Sequence, residues 1–286
     1  MRETRAVTTE SIWIDDRLVH PDEANIGFSD HGITVGDGVF ESLGVVDGKA
    51  FALQRHLDRL RRSAGTIGLA IGHDDESLRA AVNAVIAAND DVGVIRMTVT
   101  GGHAPLGSAR GEGPSRLIVA AAPTRGWAET TEVVTVEWTR NENSALAGVK
   151  STSYAENVVA LARAKEAGAT EALLANTRGE LCEGTGTNIF VELDGRLATP
   201  PLDSGCLAGV TRALVIEGLV AADIEIVEQS IPFGHLGVCT EAFLTSSTRD
   251  VQGISAIDGR PLEAPGPLTK LAAQALDDVR SGSLDP

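Results

Sequence analysis

The sequence contains few cysteines. Among 286 residues there are only Cys182, Cys206 and Cys239, which form no CxxC pair and have no histidine at zinc spacing. This pattern argues against a disulfide framework and against a structural zinc site. We therefore expect three reduced thiols in a cytoplasmic protein.

Long apolar runs and positive charge are also scarce. No stretch approaches the roughly 18 consecutive apolar residues of a membrane-spanning helix, and the first five residues lead into no apolar signal core. The 24 Lys and Arg against 40 Asp and Glu give a formal net charge of −16, which disfavours nucleic acids and anionic membranes as partners. Local arginines and helix N-termini can still bind an anionic small molecule.

The composition that remains is that of an ordinary globular protein. Hydrophobic residues make up 43% and charged residues 22% of the chain, whose length suits one large domain or two moderate ones. Strand and helix patterns follow one another along the first part of the chain. After the segment 123–129, which contains proline, glycine and tryptophan, a new series of strands and helices begins. The sequence thus predicts an N-terminal α/β domain over 1–124, a linker near 125–129 and a C-terminal domain over 130–286.

Apolar periodicity predicts the individual elements. A Gly-rich segment over 101–113 is expected to be a long loop, either a mobile connection or a substrate lid. The predicted strands are 12–14, 39–46, 50–53, 94–100, 117–122, 133–138, 171–175, 188–193, 196–199, 224–227 and 242–245. The predicted helices are 54–68, 75–89, 154–167, 210–220 and 267–280.

The chain has only four lysines, so each can be judged separately. Lys49 follows a hairpin turn, and Lys165 and Lys270 lie on the polar faces of predicted helices. Lys150 instead precedes a helix that the capping box Ser153-x-x-Glu156 predicts. The positive end of that helix would lower the pKa of the amine, as a covalently reacting lysine requires, although a surface lysine beside a cap is the common alternative.

Two glycine clusters, Gly36-Asp37-Gly38 and Gly184-Thr185-Gly186, do not continue as GxGxxG, and no P-loop is present. Several longer segments carry a specific resemblance instead. They are GVKSTSYAEN (148–157), GATEAL (168–173) and EGTGTNIF (183–190), supported by GDGVFE (36–41), RHLDRL (55–60), LAGVTR (207–212) and TSST (245–248). Together they resemble the class IV (fold type IV) pyridoxal-phosphate aminotransferases, which include branched-chain aminotransferases, D-amino acid transaminases and 4-amino-4-deoxychorismate lyases.

The resemblance implies a fold and an assembly. The expected fold is the α+β, two-domain fold type IV of D-amino acid aminotransferase-like enzymes, with a smaller N-terminal α/β domain. The larger C-terminal domain is expected to bind the cofactor with a barrel-like sheet. Family members suggest a homodimer, with the active site between the two domains and edged by the other subunit.

The resemblance also implies residue roles. Lys150 would bind pyridoxal 5′-phosphate covalently and move the substrate proton, and Glu183 would pair with the pyridine nitrogen. The residues expected to bind the phosphate are Arg55, Val210, Thr211, Ser247 and Thr248.

Other polar residues in these motifs have less certain roles. Arg59 and Arg212 are either structural or functional. Tyr154 resembles a residue that approaches the cofactor's ring oxygen in branched-chain enzymes, but its spacing from the lysine differs slightly from theirs. Cys182, His56 and Asn188 are expected to pack or to form hydrogen bonds. No metal site is expected.

The subfamily is harder to assign. Phe40 and Gly101 stand where D-amino acid transaminases carry a tyrosine and an arginine, although Arg110, Arg116 or Arg140 could bind a substrate carboxylate. Branched-chain enzymes usually carry Gly-Thr at 36–37. The segments 36–42, 98–102 and 105–111 look most like bacterial aminodeoxychorismate lyases, so we expect a lyase that releases pyruvate and 4-aminobenzoate. The alternatives are a D-amino acid or branched-chain transaminase and a non-catalytic cofactor-binding protein.

Overall fold

The computed structural model describes residues 10–124 and 126–286. Two predictions fall outside the described residues: the absence of an apolar signal core after the first five residues, and the first residue of the predicted linker. The chain divides into two compact units. The first comprises the described residues up to Gly126, together with Val149–Ser153 and Asp285; the second comprises Trp127–Gly148, Tyr154–Leu284 and Pro286. The segment that carries Lys150 therefore groups with the first unit, and the domain limits at 124 and 130 stay a prediction.

The first unit contains a six-stranded sheet in the described part of the chain, with strand order β2-β1-β6-β5-β3-β4. Every strand pair in it is antiparallel. Its strands are β1 (Ile12–Ile14), β2 (Arg17–Val19), β3 (Gly38–Val46), β4 (Lys49–Ala50), β5 (Val94–Thr100) and β6 (Arg116–Ala122). Its helices are α1 (His31–Thr34), α2 (Leu53–Thr66) and α3 (Asp75–Ala87), with a short 3-10 turn at Pro21–Glu23.

Helix α2 buries an apolar face on this sheet. Leu57 and Leu60 are completely buried there, together with apolar residues of β3 and β5. The predicted strand over 50–53 is too long, because only Lys49 and Ala50 pair with β3. Ala52 has a left-handed backbone (φ 54°), which ends the extended segment and starts the helix at Leu53.

The second unit contains a nine-stranded mixed sheet in the part that the structure describes. Its order is β12-β11-β10-β13-β14-β7-β8-β9, with β15 beside β14. The strands are β7 (Thr130–Arg140), β8 (Glu171–Asn176), β9 (Leu181–Gly184), β10 (Asn188–Leu193), β11 (Arg196–Thr199), β12 (Ile226–Glu228), β13 (Ala242–Ser246), β14 (Asp250–Ile257) and β15 (Arg260–Pro261). The helices are α4 (Ala155–Glu166), α5 (Val210–Ala221) and α6 (Pro267–Gly282), with short 3-10 turns at Leu202–Ser204 and Phe233–Gly237.

The interior of this unit is closely packed. The rings of Phe190 and Phe243 stack with centroids 4.8 Å apart across β10 and β13. Gly218 lets α5 approach α6, because a Cβ at this position would lie 2.8 Å from the carbonyl oxygen of Ala275. No helix in the described ranges is both long enough and apolar enough to cross a membrane.

Sequence patterning located the main helices of this unit but missed three strands. β9 is only four residues long, β15 is only two, and β14 alternates apolar with polar residues that include a glycine, so none of them presents a clear apolar run. The predicted strand over 224–227 begins two residues later, at Ile226.

Candidate active site

Lys150 is fixed through its main chain in the first unit. Its carbonyl oxygen accepts a hydrogen bond from the N–H of Phe40 (2.9 Å), and its N–H donates to the hydroxyl of Ser63 on α2 (3.3 Å). Ser151 continues this contact as a β-bridge to Val39. The Lys150 Nζ lies 4.5 Å from the centroid of the Phe40 ring. The amine is therefore held at a defined place over an aromatic ring of β3.

The predicted capping box before α4 is wrong. The hydroxyl of Ser153 donates to the carbonyl oxygen of Gly36 (3.0 Å), and Thr152 donates to the same oxygen (2.8 Å). Helix α4 begins at Ala155, and its cap residue Tyr154 makes no side-chain capping bond. Gly36 has φ +69°, and a Cβ there would lie 2.7 Å from the Ser153 hydroxyl oxygen. The two hydroxyls thus tie the glycine turn before β3 to the lysine segment.

Arg96 is a candidate site residue that sequence reasoning missed. Its guanidinium carbon lies 3.8 Å from the centroid of the same Phe40 ring. Arg96 pairs with Ser42 across β3 and β5, and it is the only charged residue of β5. A single charged residue in a predicted strand was the one sequence signal, but only the pairing of β3 with β5 places it beside Phe40.

Glu41, His56 and Arg59 form a buried ionic cluster next to this region. Glu41 is fully buried and accepts hydrogen bonds from Arg59 Nε (2.8 Å), Arg59 Nη2 (2.6 Å) and His56 Nδ1 (2.7 Å). Burial raises the pKa of Glu41, but the Arg59 and His56 interactions outweigh it and bring the pKa to about 2. Burial lowers the pKa of His56. The carboxylate is therefore ionised, and Arg59 has a structural partner.

Arg55 and Arg59 both lie on α2, but in different surroundings. Arg55, the predicted phosphate residue, is half-buried in the first turn of the helix. Arg59 is 4% exposed and lies one helical turn before Ser63, the residue that binds the Lys150 main chain. The role of Arg55 stays a prediction, and the charge of Arg59 is paired with buried Glu41.

Glu183 lies on β9 of the second unit and is held at both carboxylate oxygens. Its Oε2 accepts a hydrogen bond from the N–H of Leu207 (2.9 Å), and its Oε1 lies 3.3 Å from Nε of Arg140. The Glu183 side chain is 13% exposed. Asn188, expected to form hydrogen bonds, donates to the Leu207 carbonyl oxygen (2.8 Å) and supports the same segment.

The residues after Glu183 are clamped from two sides. Buried Glu171 accepts hydrogen bonds from the Thr185 N–H (2.9 Å), from the Thr185 hydroxyl and from Thr187. The Thr185 carbonyl oxygen accepts from the Tyr154 hydroxyl (3.1 Å) and from Asn157. Burial, followed by the nearby Glu183 charge, raises the pKa of Tyr154. A contact of Tyr154 with a cofactor stays a prediction.

The predicted phosphate residues of the second unit lie at two chain turns. Val210 and Thr211 open α5, where the cap residue Gly209 provides no side-chain capping bond. A helix start of this kind presents main-chain N–H groups to an anion. Ser247 and Thr248 are half-buried in the turn that joins β13 to β14. Their contact with a phosphate stays a prediction.

Arg212 and the cysteines have structural surroundings. Arg212 is buried and donates to the carbonyl oxygen of Pro200 (2.9 Å) and to Glu228 (2.5 Å). All three cysteines are buried and form no disulfide. Burial raises the pKa of Cys182 and brings that of Cys206 to about 11, so both are unreactive thiols.

Three side chains organise the loop over 101–113. Arg110 donates to both carboxylate oxygens of Asp37 (2.7 and 2.6 Å), and His31 Nδ1 contacts Asp37 Oδ2 (2.9 Å). His31 Nε2 contacts the carbonyl oxygen of Gly107 (2.9 Å). Arg110, one of the predicted carboxylate-binding candidates, is thus engaged by an acidic partner, as Arg116 is by Asp15 (3.0 Å) and Arg140 is by Glu183.

Comparison with known proteins is consistent with this arrangement. The profile of the family described as amino-transferase class IV matches residues 38–257. A protein of Methanocaldococcus jannaschii assigned as a branched-chain-amino-acid aminotransferase is 32% identical over 277 residues, which cover 94% of this chain and 96% of that one. A D-alanine aminotransferase of Bacillus licheniformis is 28% identical, covering 93% and 96% of the two chains.

Solved structures extend the similarity to the fold. The branched-chain aminotransferase of Thermoproteus uzoniensis has a TM-score of 0.89 and 31% identity, covering 95% of each chain. A Legionella pneumophila protein assigned as a 4-amino-4-deoxychorismate lyase has a TM-score of 0.83 and 25% identity, covering 89% of this chain and 95% of that one. These likenesses confirm the predicted α+β, fold type IV architecture. The chain therefore belongs to the class IV aminotransferase family, a family of enzymes that use pyridoxal 5′-phosphate as cofactor.

Proposed function

We propose that this protein is an aminotransferase that moves an amino group between an apolar α-amino acid and a 2-oxo acid. The observation that carries the proposal is the group formed by Lys150, Phe40 and Arg96, in which an amine and a guanidinium both contact one aromatic ring. The curated relatives named as branched-chain and D-alanine aminotransferases, which match over most of their length, support the reaction class.

The residues present fit the cofactor. Lys150 supplies a primary amine whose main chain is anchored on both sides, and Glu183 supplies a carboxylate fixed by Leu207 and Arg140. The start of α5 has no side-chain cap among the described residues and can donate main-chain N–H groups to a phosphate. Ser247 and Thr248 add hydroxyl donors, and α2 adds Arg55 and Arg59.

Each of these residues has a distinct task in the proposed reaction. When bound, pyridoxal 5′-phosphate supplies an electron sink for the electron pair left as the substrate Cα–H bond breaks. Lys150 would hold the cofactor through its amine, and its Nζ would carry the substrate proton away from Cα. Glu183 would pair with the protonated ring nitrogen, and the residues that would hold the phosphate are Arg55, Val210, Thr211, Ser247 and Thr248.

The surroundings of Lys150 also bear on the substrate. The Phe40 ring lies 4.5 Å from the lysine amine and is only 3% exposed, so it forms part of the buried apolar surroundings of that amine. Arg96 places a guanidinium against that ring, where it can bind a carboxylate of a dicarboxylic 2-oxo acid. The relatives named as branched-chain aminotransferases favour an aliphatic amino donor, and the Arg96 guanidinium favours 2-oxoglutarate as the acceptor.

A panel of amino donors tests the proposal. Purified, cofactor-loaded protein is incubated with L-leucine, L-valine or D-alanine together with 2-oxoglutarate or pyruvate, and the new 2-oxo acid is quantified. We expect the highest rate with a branched-chain donor and 2-oxoglutarate. Failure to form a 2-oxo acid from every donor, in protein that carries the cofactor, would contradict the aminotransferase proposal.

The Arg96 role is tested by substitution. Arg96→Met should raise KM for 2-oxoglutarate about tenfold and change KM for leucine much less, since only the dicarboxylic substrate loses a charge partner. Arg62→Met, which alters an exposed arginine of α2, is the matched control and should change neither constant.

The lyase predicted from the sequence is the second candidate. It is favoured by the segments 36–42, 98–102 and 105–111 and by the similarity to the Legionella protein. The same preparation is supplied with 4-amino-4-deoxychorismate, and equal release of pyruvate and 4-aminobenzoate would establish this activity instead. A cofactor-binding protein without turnover would leave the absorbance of the bound cofactor unchanged with every donor.

A second copy of this chain is the proposed partner. The first unit exposes apolar side chains close together in sequence, with Phe28 82% exposed and Ile33 58% exposed, and Leu106 is 77% exposed on the long loop. Large apolar side chains that are this exposed are typical of a surface that another chain covers. The homodimer expected from the family resemblance is consistent with them, and the cytoplasmic location remains a prediction.

A further inference from the structure

Arg140 and Glu183 lie on the same face of the second sheet. Arg140 ends β7 and pairs with Asn176 on β8, whereas Glu183 on β9 pairs with Leu174 on the other edge of β8. Asn176 and Leu174 are two residues apart and therefore share a face. The guanidinium of Arg140 reaches across β8, and its Nε lies 3.3 Å from Glu183 Oε1.

This ion pair is poorly accessible to water. The Arg140 side chain is 17% exposed and the Glu183 side chain 13% exposed, so solvent screens their attraction less than at a surface. A second acid, Glu156, lies 3.6 Å from Arg140 Nη1 but is 83% exposed. Glu183 is thus the buried partner of this arginine.

The buried Arg140 Nε makes no hydrogen bond to any of the described residues, so its 3.3 Å contact with Glu183 Oε1 is mainly an electrostatic attraction. The influence of Arg140 also extends beyond Glu183, since the nearby guanidinium opposes the rise in the Tyr154 pKa that burial and Glu183 cause.

We infer that Arg140 is a positioning residue for Glu183, holding its carboxylate ionised and oriented for the ring nitrogen of the cofactor. The Leu207 N–H fixes Oε2 and Arg140 attracts Oε1, so the carboxylate plane has little freedom to rotate. An ionised, fixed acceptor is what a protonated ring nitrogen requires. This inference rests on the proposed role of Glu183 in binding the cofactor.

A double-mutant cycle on cofactor affinity tests the inference. Full-length wild type, Arg140→Met, Glu183→Gln and the double variant are each stripped of cofactor. They are then titrated with pyridoxal 5′-phosphate while the absorbance of the bound form is followed. Arg140→Met should weaken binding about tenfold in the wild-type background. In the Glu183→Gln background the same change should have almost no effect, because Arg140 acts through the carboxylate. The absorbance maximum of the bound cofactor should shift in the same direction in both single variants.

Two results would overturn the inference. The first is an Arg140→Met variant that binds the cofactor with the affinity and absorbance of the wild type. The second is a double variant whose loss of affinity equals the product of the losses in the two single variants, because this would indicate that the two residues act independently. If Arg140→Met fails to fold, Arg140→Lys serves in the same cycle and should retain most of the affinity. Arg163→Met, at an exposed arginine of α4, is the matched control and should leave affinity unchanged in both backgrounds. A wild type that binds no cofactor would instead refute the proposed function.

Discussion

At the residue scale, the buried carboxylates Glu41 and Glu171 organise the surroundings of the candidate site residues. Glu41 joins Arg59 and His56 beneath the lysine segment, and Glu171 fixes the residues that follow Glu183. Neither acid was predicted from the sequence to have a role. A buried carboxylate with several donors is costly to disturb, because removal of one partner leaves the others desolvated and unpaired.

Neutralising Glu41 should strongly destabilise the protein. In Glu41→Gln the buried Arg59 guanidinium loses its counter-charge, so the free energy of unfolding should fall by about 3–5 kcal/mol. Urea unfolding followed by circular dichroism measures this change. Glu76→Gln, at an exposed acid of α3, should change stability by less than about 0.5 kcal/mol. If Glu41→Gln lowered the free energy of unfolding as little as the control does, the cluster would not stabilise the fold.

The same cluster predicts how stability depends on pH. The pKa of Glu41 is about 2 in the folded protein, whereas its ordinary value, taken for the unfolded chain, is 4.5. The stability that ionised Glu41 contributes is therefore present above pH 4.5 and is lost as pH falls towards 2. The pKa of His56 is lowered from 6.5, so protonation in the unfolded chain begins to favour unfolding as pH falls below 6.5. Unfolding free energies measured from about pH 6 to pH 3, below the range in which protonation of His31 adds stability, should therefore decrease. A constant stability over this range would contradict both assignments.

At the element scale, periodic apolar patterns were sufficient for the long helices and for the strands with continuous apolar runs. Val210 was placed correctly as the first residue of α5. Patterning could not show that the Ser153 hydroxyl binds Gly36 instead of capping α4, because that bond joins residues 117 positions apart. Arg96 was missed for the same reason, since only strand pairing brings it beside Phe40. Motif resemblance supplied Lys150 and Glu183, which local chemistry alone left open.

The loop over 101–113 was predicted as a long connection, and the structure shows what fastens it. Asp37 binds Arg110 and His31, and His31 in turn contacts the Gly107 carbonyl oxygen. Both ring nitrogens of His31 face acceptors, so the protonated ring satisfies both contacts. The hydrogen bond that His31 donates to Asp37 raises the pKa of His31, and the hydrogen bonds that Arg110 donates lower the pKa of Asp37.

Neutralising Asp37 should release this loop. In Asp37→Asn, both charged donors lose their carboxylate, so amide hydrogen exchange over 103–111 should become roughly tenfold faster or more. Asp58→Asn, at an exposed position of α2, should leave exchange in the loop unchanged. In the wild type, exchange should accelerate as pH rises through the raised pKa of His31, after correction for the intrinsic pH dependence. Equal loop protection in Asp37→Asn and wild type would refute the fastening role.

At the scale of the whole molecule, the residues proposed to bind the cofactor are distributed over both units. Lys150, Arg55 and Arg59 belong to the first unit, and Glu183, Val210, Thr211, Ser247 and Thr248 belong to the second. The sequence alone does not show the partner surface, because an apolar residue is recognised as exposed only once the chain is folded. Phe28 and Leu106 are recognised as such only in the structure.

Disruption of the apolar surface should separate the proposed dimer. Sedimentation of the wild type should give twice the mass of one chain, and Phe28→Asp should shift the population to single chains because it buries a charge in the contact. Val238→Asp alters a side chain that is 70% exposed in the second unit, and it should remain dimeric. A monomeric wild type, or a Phe28→Asp variant that stays dimeric, would contradict this assignment of the interface.

The central claim is that Lys150 holds pyridoxal 5′-phosphate. The most direct measurement reduces the cofactor-loaded protein with borohydride, digests it, and locates the added phosphopyridoxyl mass by peptide mass spectrometry. The account predicts the mass on Lys150 and none on the other three lysines, Lys49, Lys165 and Lys270. A modified residue elsewhere, or protein that binds the cofactor without any reducible bond to Lys150, would contradict it.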